Sequence, residues 1–505
     1  MRIPDVRGVA FRRVLSHHRL FVVFLFIGVL LRVLTTVAGR PAFLLWGDSY
    51  QYLDDASRLT PGRFHPLGYG VFLRGSMFGT GRLILVPIVQ HVLVLAAAVL
   101  VYVVVLRLTR RPWLAALATV PVLLDVLQLA VEQTVVSDAL FQVLLVAAIG
   151  CAVLRRRPGF AWVVAAGLLL AVATLTRSLA LFLVVPFVGY GLLARWGWRR
   201  VGAFAAAMLV PVAAYAAGFH HEYGRYALET SEGAWLYGRV QQTVPCQDVR
   251  LPASEQHLCQ TVRFDATALP FEQGISFYTW NRNSPLNHWP GVPHERRQVL
   301  ARDYAKRLVK AHPVTYVVSV AELSGRYFAW TRRTDPTTAP PQAWMLHTTL
   351  HPRLWHILRA PTTAAAAVSP TTMNGEPAQP LPAPAAVLTA YQHVGRLPGP
   401  LLAAALALAL VVGVRRRRHA VDADRRDACL LLATSALLLV LVPAATVAVS
   451  YRYLLPVFVT AWPAGALAVA TLLDRRANRS GDVGSDDAAA TRVAAATEAG
   501  DLTSA

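Results

Sequence analysis

The residues with the most capacity for chemistry lie early in the chain. They read Trp46-Gly47-Asp48-Ser49-Tyr50-Gln51-Tyr52-Leu53-Asp54-Asp55-Ala56-Ser57-Arg58-Leu59, followed by Pro61-Gly62-Arg63-Phe64-His65-Pro66-Leu67-Gly68-Tyr69. A helix over 48–59 places Asp48, Tyr52, Asp55, Ala56 and Leu59 on one face. Asp48 then opens that helix beside an aromatic ring, where a carboxylate can accept a proton from a hydroxyl. An aspartate at a helix start also serves as an N-cap without any chemistry. The local sequence leaves both roles open.

Other polar groups fall at the ends of apolar blocks. Glu132 and Asp138 flank one very short connection, and Asp125 and Gln128 lie inside the block before it. Arg177 sits in the turn Thr174-Leu175-Thr176-Arg177-Ser178, and Arg452 in Ser450-Tyr451-Arg452-Tyr453-Leu454-Leu455-Pro456. Ionisable groups near membrane depth are costly and favour function. A guanidinium holds phosphate oxygens bidentately, so the two arginines suit a lipid-linked phosphate. Pairing inside the protein, Arg177 with Asp138 for example, or snorkelling to headgroups, is the alternative.

The elements that must position these groups follow from composition. Of 505 residues, 55% are apolar and 15% charged, with a mean hydropathy of +0.44. Soluble chains carry about 25% charged residues. The apolar residues come in blocks of roughly 18 to 24, the length that crosses a bilayer as helix. This excludes an ordinary cytosolic enzyme, a disordered chain and a small disulfide scaffold, and indicates an all-α polytopic membrane protein with about 10 transmembrane helices. The spans are expected near 19–39, 83–106, 112–130, 137–154, 160–177, 179–194, 201–219, 398–414, 429–449 and 454–473. The first is long enough to span, and no small-residue cleavage site follows it, so it is not read as a signal peptide.

Lys+Arg numbers 49 against 28 acidic residues, a formal charge of +21. The excess is almost all arginine, clustered at block ends: Arg2, Arg7, Arg12 and Arg13; Arg107, Arg110 and Arg111; Arg155 to Arg157; Arg195, Arg199 and Arg200; Arg415 to Arg418; Arg475, Arg476 and Arg479. Every second connection is thus arginine-rich. That is the positive-inside pattern rather than a nucleic-acid surface, and it places both termini in the cytoplasm of a plasma-membrane protein. Val314–Phe328 is apolar enough to suggest an eleventh span. It contains Glu322 and Arg326, and crossing would invert every later loop, so it is read as an amphipathic helix at the outer face.

The chain therefore divides into an N-terminal membrane module (1–219) with an outer loop at 40–82, an extracytoplasmic segment (220–397), C-terminal membrane helices (398–473) and a disordered cytoplasmic tail (474–505). Residues 220–330 mix aromatic and polar residues and should fold as a small mixed domain. Residues 331–390 drift into Pro, Thr and Ala and read as a flap or linker. Cys246 and Cys259 both lie in this segment, where an oxidising compartment favours a disulfide. A zinc pair with nearby histidines is the alternative: ten of the 15 histidines lie there too, but none shows convincing ligand spacing, so no metal ligand is named.

In order, these motifs resemble the polytopic GT-C glycosyltransferases, which include protein O-mannosyltransferases, lipid A aminoarabinose transferases and actinobacterial cell-wall sugar transferases. The features are the Asp48…Tyr52…Ala56 stripe, His65-Pro66-Leu67, Ser137-Asp138-Ala139-Leu140-Phe141, the Arg177 turn and Tyr451-Arg452-Tyr453-Leu454-Leu455-Pro456. Many relatives carry a second acid directly after the first, where this chain has Ser49.

The resemblance implies an inverting transfer of a mannose- or pentose-type sugar from a polyprenyl-phosphate carrier to an extracytoplasmic glycan, glycolipid or protein acceptor. Asp48 would be the catalytic base; Tyr52, Asp55, His65, Asp138, Arg177 and Arg452 would bind substrate. No cofactor or metal is implied, the lipid-linked sugar being a substrate. The reading from another class is a transporter or flippase of lipid-linked sugars, which should show midplane charges and broken helices. A membrane acyltransferase would need a paired-histidine motif in a membrane helix, which is not found.

Overall fold

The computed structural model describes residues 6–45, 48–77, 81–260, 262, 273–333, 338, 344–348, 380–415 and 420–477. Trp46 and Gly47, most of the 331–390 flap and the tail beyond 477 lie outside the described residues. Within them the chain is helical, and its only β pairings are two isolated bridges, Phe43 with Thr134 and Thr338 with Val449.

The N-terminal half comprises α1 (Val6–Ala38), α2 (Asp48–Arg58), α3 (Gly68–Ser76), α4 (Leu85–Thr109), α5 (Pro112–Ala118), α6 (Val120–Leu124), α7 (Val126–Gln133), α8 (Asp138–Val153), α9 (Phe160–Thr176), α10 (Val184–Leu193) and α11 (Trp198–Tyr223). There follow α12 (Glu232–Gln241), α13 (Gly274–Trp280), α14 (His294–Ala311), α15 (Pro313–Arg326), α16 (Pro382–Tyr391), α17 (Gly399–Val414), α18 (Ala420–Thr446), α19 (Leu454–Phe458) and a last helix, α20, at 461–477.

Among the described residues, five helical segments are long and apolar enough to cross a membrane: Ser16–Ala38, Leu85–Thr109, Trp198–Tyr223, Ala423–Thr446 and Tyr451–Ala477, the last running through a 3₁₀ turn, α19 and α20. Four apolar segments among them are shorter: Asp138–Val153, Phe160–Thr176, Ser178–Leu193 and Gly399–Val414. With the broken segment α5–α7 they occupy the ten expected positions. Their apolar faces merge into one large core, in which Val122, Leu145, Phe187, Phe204 and Leu455 are fully buried.

The third expected span is not one helix. Pro121 lies in the first turn of α6, and Asp125 adopts an extended conformation (φ −70°, ψ 132°) that ends α6. Its side chain then caps α7 by accepting from Leu127 N at 2.8 Å. Proline removes a backbone donor and aspartate competes for the backbone, so the two together divide an otherwise apolar run. The other Asp125 oxygen accepts from Leu397 N at 2.7 Å, joining the break to the segment before α17.

At the arginine-rich end, Arg111 lies 2.6 Å from Asp474, Arg425 pairs with the same carboxylate, and Arg156 lies 3.0 Å from Asp424. Arginines from alternate connections thus gather on acids of α18 and α20. At the opposite end, α12, α13 and α14 pack around Tyr237, Tyr278 and Tyr304 as a separate core. Among its described residues this region, expected to be mixed, is built from helices and loops. Gly233 permits the α12–α14 approach, since a Cβ there would lie 2.0 Å from Gln298 O. Cys246 and Cys259 are disulfide-bonded with Cα atoms 5.8 Å apart, and Arg307 grips Glu255 with two bonds of 3.0 and 3.1 Å.

Candidate active site

The start of α2 is fixed by short local contacts. Ser49 Oγ accepts from Leu45 N and donates to Val135 O, each at 2.7 Å. Phe43 N donates to Gln133 O at 3.0 Å and Val135 N to Phe43 O at 2.9 Å. Ser49, fully buried, therefore ties α2 to the 134–137 turn that leads into α8. A second acid at this position would lie in that interface rather than in the site. Tyr52 reinforces the tie, its hydroxyl lying 2.8 Å from Ser137 Oγ. Asp138, in the first turn of α8, is thereby brought under Asp48.

The His65-Pro66 turn is held on another side. A Cβ at Gly68 would come within 2.5 Å of Leu175 O, so only glycine lets α3 approach the end of α9 this closely. Arg177 leaves α9 just beyond that contact. Arg452 arrives on the short 3₁₀ turn Tyr451–Tyr453 before α19.

These elements bring six of the seven expected residues together, all but Asp55. Asp48 Oδ2 lies 2.7 Å from Arg452 Nη2, and Asp48 Oδ1 lies 3.6 Å from His65 Nε2. Arg177 pairs with Asp138, and Arg452 Nη1 lies 3.9 Å from the same carboxylate. His65 stacks on Tyr52, with centroids 4.5 Å apart. The guanidinium of Arg177 lies 4.8 Å from the Tyr453 ring centroid, and that of Arg452 lies 5.4 Å from Tyr453 and 5.2 Å from Trp344. Aromatic faces favour cations at such distances, which helps two arginines share a confined space.

Asp48 begins its helix, yet its carboxylate faces Arg452 and His65. Burial by itself would push its carboxyl up. The Arg452 guanidinium, with His65, outweighs that and holds it well below the usual carboxylate range. Asp55 behaves in the opposite way. Burial raises its carboxyl to about 7, with Asp54 adding and His65 and Arg58 opposing. Asp55 packs against Gly62 and has no ion pair with either arginine among the described contacts. Leu59, expected on the same helical face, follows the end of α2 with φ 52° and is exposed.

Three further side chains join the cluster that the sequence motifs do not mark as site residues. Tyr453 and Trp344 stack on the arginines. Glu229 accepts from Ser178 Oγ at 3.2 Å, next to Arg177, and burial raises its carboxyl against the opposing His65. Its neighbour Thr230 donates from N to Arg63 O at 2.7 Å, binding this loop to the His65 turn. Tyr453 lies inside the motif around Arg452, but no local pattern marks Glu229 or Trp344.

A second buried ionic cluster lies among α1, α4 and α7. Arg32 bonds Glu132 through Nε at 2.9 Å and Nη2 at 2.7 Å, and also donates to Gly28 O, Val122 O and Leu123 O. His91 Nδ1 lies 2.7 Å from Glu132. Arg32 thus takes up carbonyls at the α6 break while its charge is matched by Glu132.

The family model for dolichyl-phosphate-mannose-protein mannosyltransferase matches residues 75–216, which include Asp138 and Arg177. This agrees with the resemblance read from the motifs, over less than a third of the chain. No curated protein sequence matches significantly. Among solved structures, the S. cerevisiae protein O-mannosyltransferase Pmt1-Pmt2 complex bound to the sugar donor is 16% identical, covering 47% of this chain and 37% of that chain, with a TM-score of 0.32. The Archaeoglobus fulgidus oligosaccharyltransferase in the apo form is 13% identical, covering 91% and 51%, with a TM-score of 0.41. ArnT from Cupriavidus metallidurans bound to undecaprenyl phosphate is 16% identical, covering 89% and 77%, with a TM-score of 0.32. The chain thus spans about half or less of the length of the first two.

Proposed function

We propose that this chain is a GT-C-type membrane glycosyltransferase that moves a mannose- or pentose-type sugar from a polyprenyl-phosphate carrier to an extracytoplasmic acceptor, with inversion at the anomeric carbon. The observation that carries the reading is the meeting of Asp48, His65 and Arg452 over the Asp138–Arg177 pair, at the end of the bundle opposite the arginine-rich connections. The match to the mannosyltransferase family model supports it independently.

In this reading Asp48 accepts the proton of the acceptor hydroxyl as its oxygen bonds to the anomeric carbon. The bond from that carbon to the phosphate oxygen breaks on the opposite face, and the electron pair leaves with the phosphate. Arg452 and Arg177 lie where they neutralise the growing negative charge, the kind of contact that is stronger in the transition state than before it. Asp138 holds the two guanidiniums side by side. His65, stacked on Tyr52, contributes a donor toward the donor phosphate, and Asp55 and Tyr52 border the acceptor side. The acceptor is a glycan, a glycolipid or an exported protein.

The transporter reading has one observation in its favour, the broken α5–α7 segment with charged residues around it. Those charges are matched: Glu132 by Arg32 and His91, and Asp125 by two backbone donors and by Arg332 at 3.8 Å. They account for the break structurally, which favours the enzyme.

The test is release of polyprenyl phosphate by the full chain in nanodiscs, with radiolabelled polyprenyl-phosphate mannose and polyprenyl-phosphate arabinose. The wild type should turn over one donor, and Asp48→Asn should lose on the order of 10²-fold or more while still binding it. Turnover unchanged in Asp48→Asn would return this residue to a helix-start role. Donor carried across the bilayer without cleavage would establish the transporter instead.

A further inference from the structure

The described contacts fasten helix α15 along one side. Tyr316 donates from its hydroxyl to Ala445 O at 2.7 Å, at the end of α18. Ser319 accepts from Arg239 Nη2 at 2.9 Å, and Arg239 Nε in turn donates to Ala444 O. Beyond the helix, Tyr327 OH accepts from Ser450 N at 3.2 Å, and the backbone at Phe328 and Ala329 packs on Gly399, the first residue of α17. Residues 444–450 and 399 are ends of membrane helices on the side of the candidate site. The helix therefore begins and finishes at one membrane level, and its 14 residues cover about 21 Å, short of the roughly 30 Å of a hydrocarbon core. It lies along the surface and does not cross.

Its other face is apolar and uncovered. Val314, Val317 and Val318 are 74%, 63% and 49% exposed, and Ala321 and Gly325 continue the same stripe. Trp330 follows at 66% exposure. These positions (i, i+3, i+4, i+7, i+11) form a single helical face, with Glu322 at its polar edge. The approaches are basic. Lys306 and Lys310, the only lysines in the chain, are exposed on α14 just before, exposed Arg333 follows the helix, and exposed Arg396 stands shortly before α17, whose first residue touches the segment after α15. An apolar stripe between cationic flanks, with a tryptophan at its end, complements a leaflet with anionic headgroups.

We infer that the Val314–Val317–Val318–Ala321 face of α15 is seated in the lipid leaflet on the site's side, with the flanking lysines and arginines meeting anionic headgroups. The spans that α15 is fastened to also expose apolar side chains, such as Leu401 of α17 and Leu441 of α18. Seating here also anchors the segment C-terminal to α15. Arg332, which pairs with Asp125 and stacks 5.7 Å from the Tyr451 ring, comes six residues after the helix end, and Trp344 covers Arg452. This inference needs only the membrane character of the chain and stands apart from the proposed reaction.

The test uses full-length protein, with Cys151 and Cys429 changed to serine, in nanodiscs containing anionic phospholipid. A nitroxide is attached at Val317→Cys or, as a reference, at Glu322→Cys. Collisional relaxation by oxygen, which concentrates in lipid, should exceed that by a water-soluble nickel chelate severalfold at 317. The balance should shift toward the chelate at 322, and the contrast should shrink in uncharged nanodiscs. Chelate access at 317 equal to that at 322 would overturn the inference by placing the face in water. Protection at 317 from both reagents would overturn it too, by indicating a covering protein surface such as a second copy.

Discussion

Arg452 lies between Asp48 and Asp138, 2.7 Å from the first and 3.9 Å from the second, although it comes from near the opposite end of the chain. One guanidinium thus sets the charge state of the proposed base and shares the carboxylate that holds the other arginine.

Arg452→Gln removes the cation that opposes burial at Asp48. The Asp48 carboxyl should then rise from far below the usual range. A base works only when deprotonated, so activity falls as pH drops through its pKa. The acid limb of the rate profile should move upward into the measurable range, and the maximal rate should fall by roughly 10²-fold through loss of a charge-stabilising donor. A profile of unchanged shape would separate Arg452 from Asp48.

Asp138→Ala leaves Arg177 and Arg452 confined together without their shared anion. Removing one partner of a buried ionic cluster costs about 3–5 kcal/mol. Thermal unfolding in detergent should register this loss, and Arg177→Gln in the same chain should recover part of it. An additive double mutant would contradict the coupling.

Asp55 gives a stability effect of opposite sign to that of a paired carboxylate. Its folded pKa, about 7, lies above its ordinary value of 3.8, so the unfolded chain holds fewer protons between these values. Stability should therefore decline as pH rises from about 4 to 7 and then level off. Asp55→Asn should flatten that decline, raising the melting temperature at pH 8 by roughly 2–4 °C with no gain near pH 4. Equal gains at both pH values would assign the effect to packing.

The Cys246–Cys259 bond closes a loop of sequence separation 13 around the Tyr237 core. Replacing both cysteines by alanine should cost about 3 kcal/mol. Proteolysis should become faster within 220–333, while cleavage at the arginine-rich end stays unchanged.

Much of this architecture follows from one-dimensional rules. Span positions are read from apolar run length, because a bilayer demands that every backbone group be satisfied within its own segment. The Arg177 and Arg452 turns stand out because they break the arginine alternation. The division of the third span is harder to read, since a 112–130 run is equally apolar whether or not Pro121 and Asp125 interrupt it. Glu229 and Trp344 carry no local mark; their place depends on how the 220–397 segment returns to the helix ends.

What the sequence by itself determined is the helical membrane class, the approximate spans and the short list of polar residues on one side. The reason is that bilayer thickness and charge placement act on each segment separately. Only the tertiary structure decided that Arg177 neutralises Asp138, that Arg452 reaches Asp48, and that Ser49 is a packing residue. Those pairings depend on how helices distant in sequence cross, which arises from side-chain fit across the whole bundle.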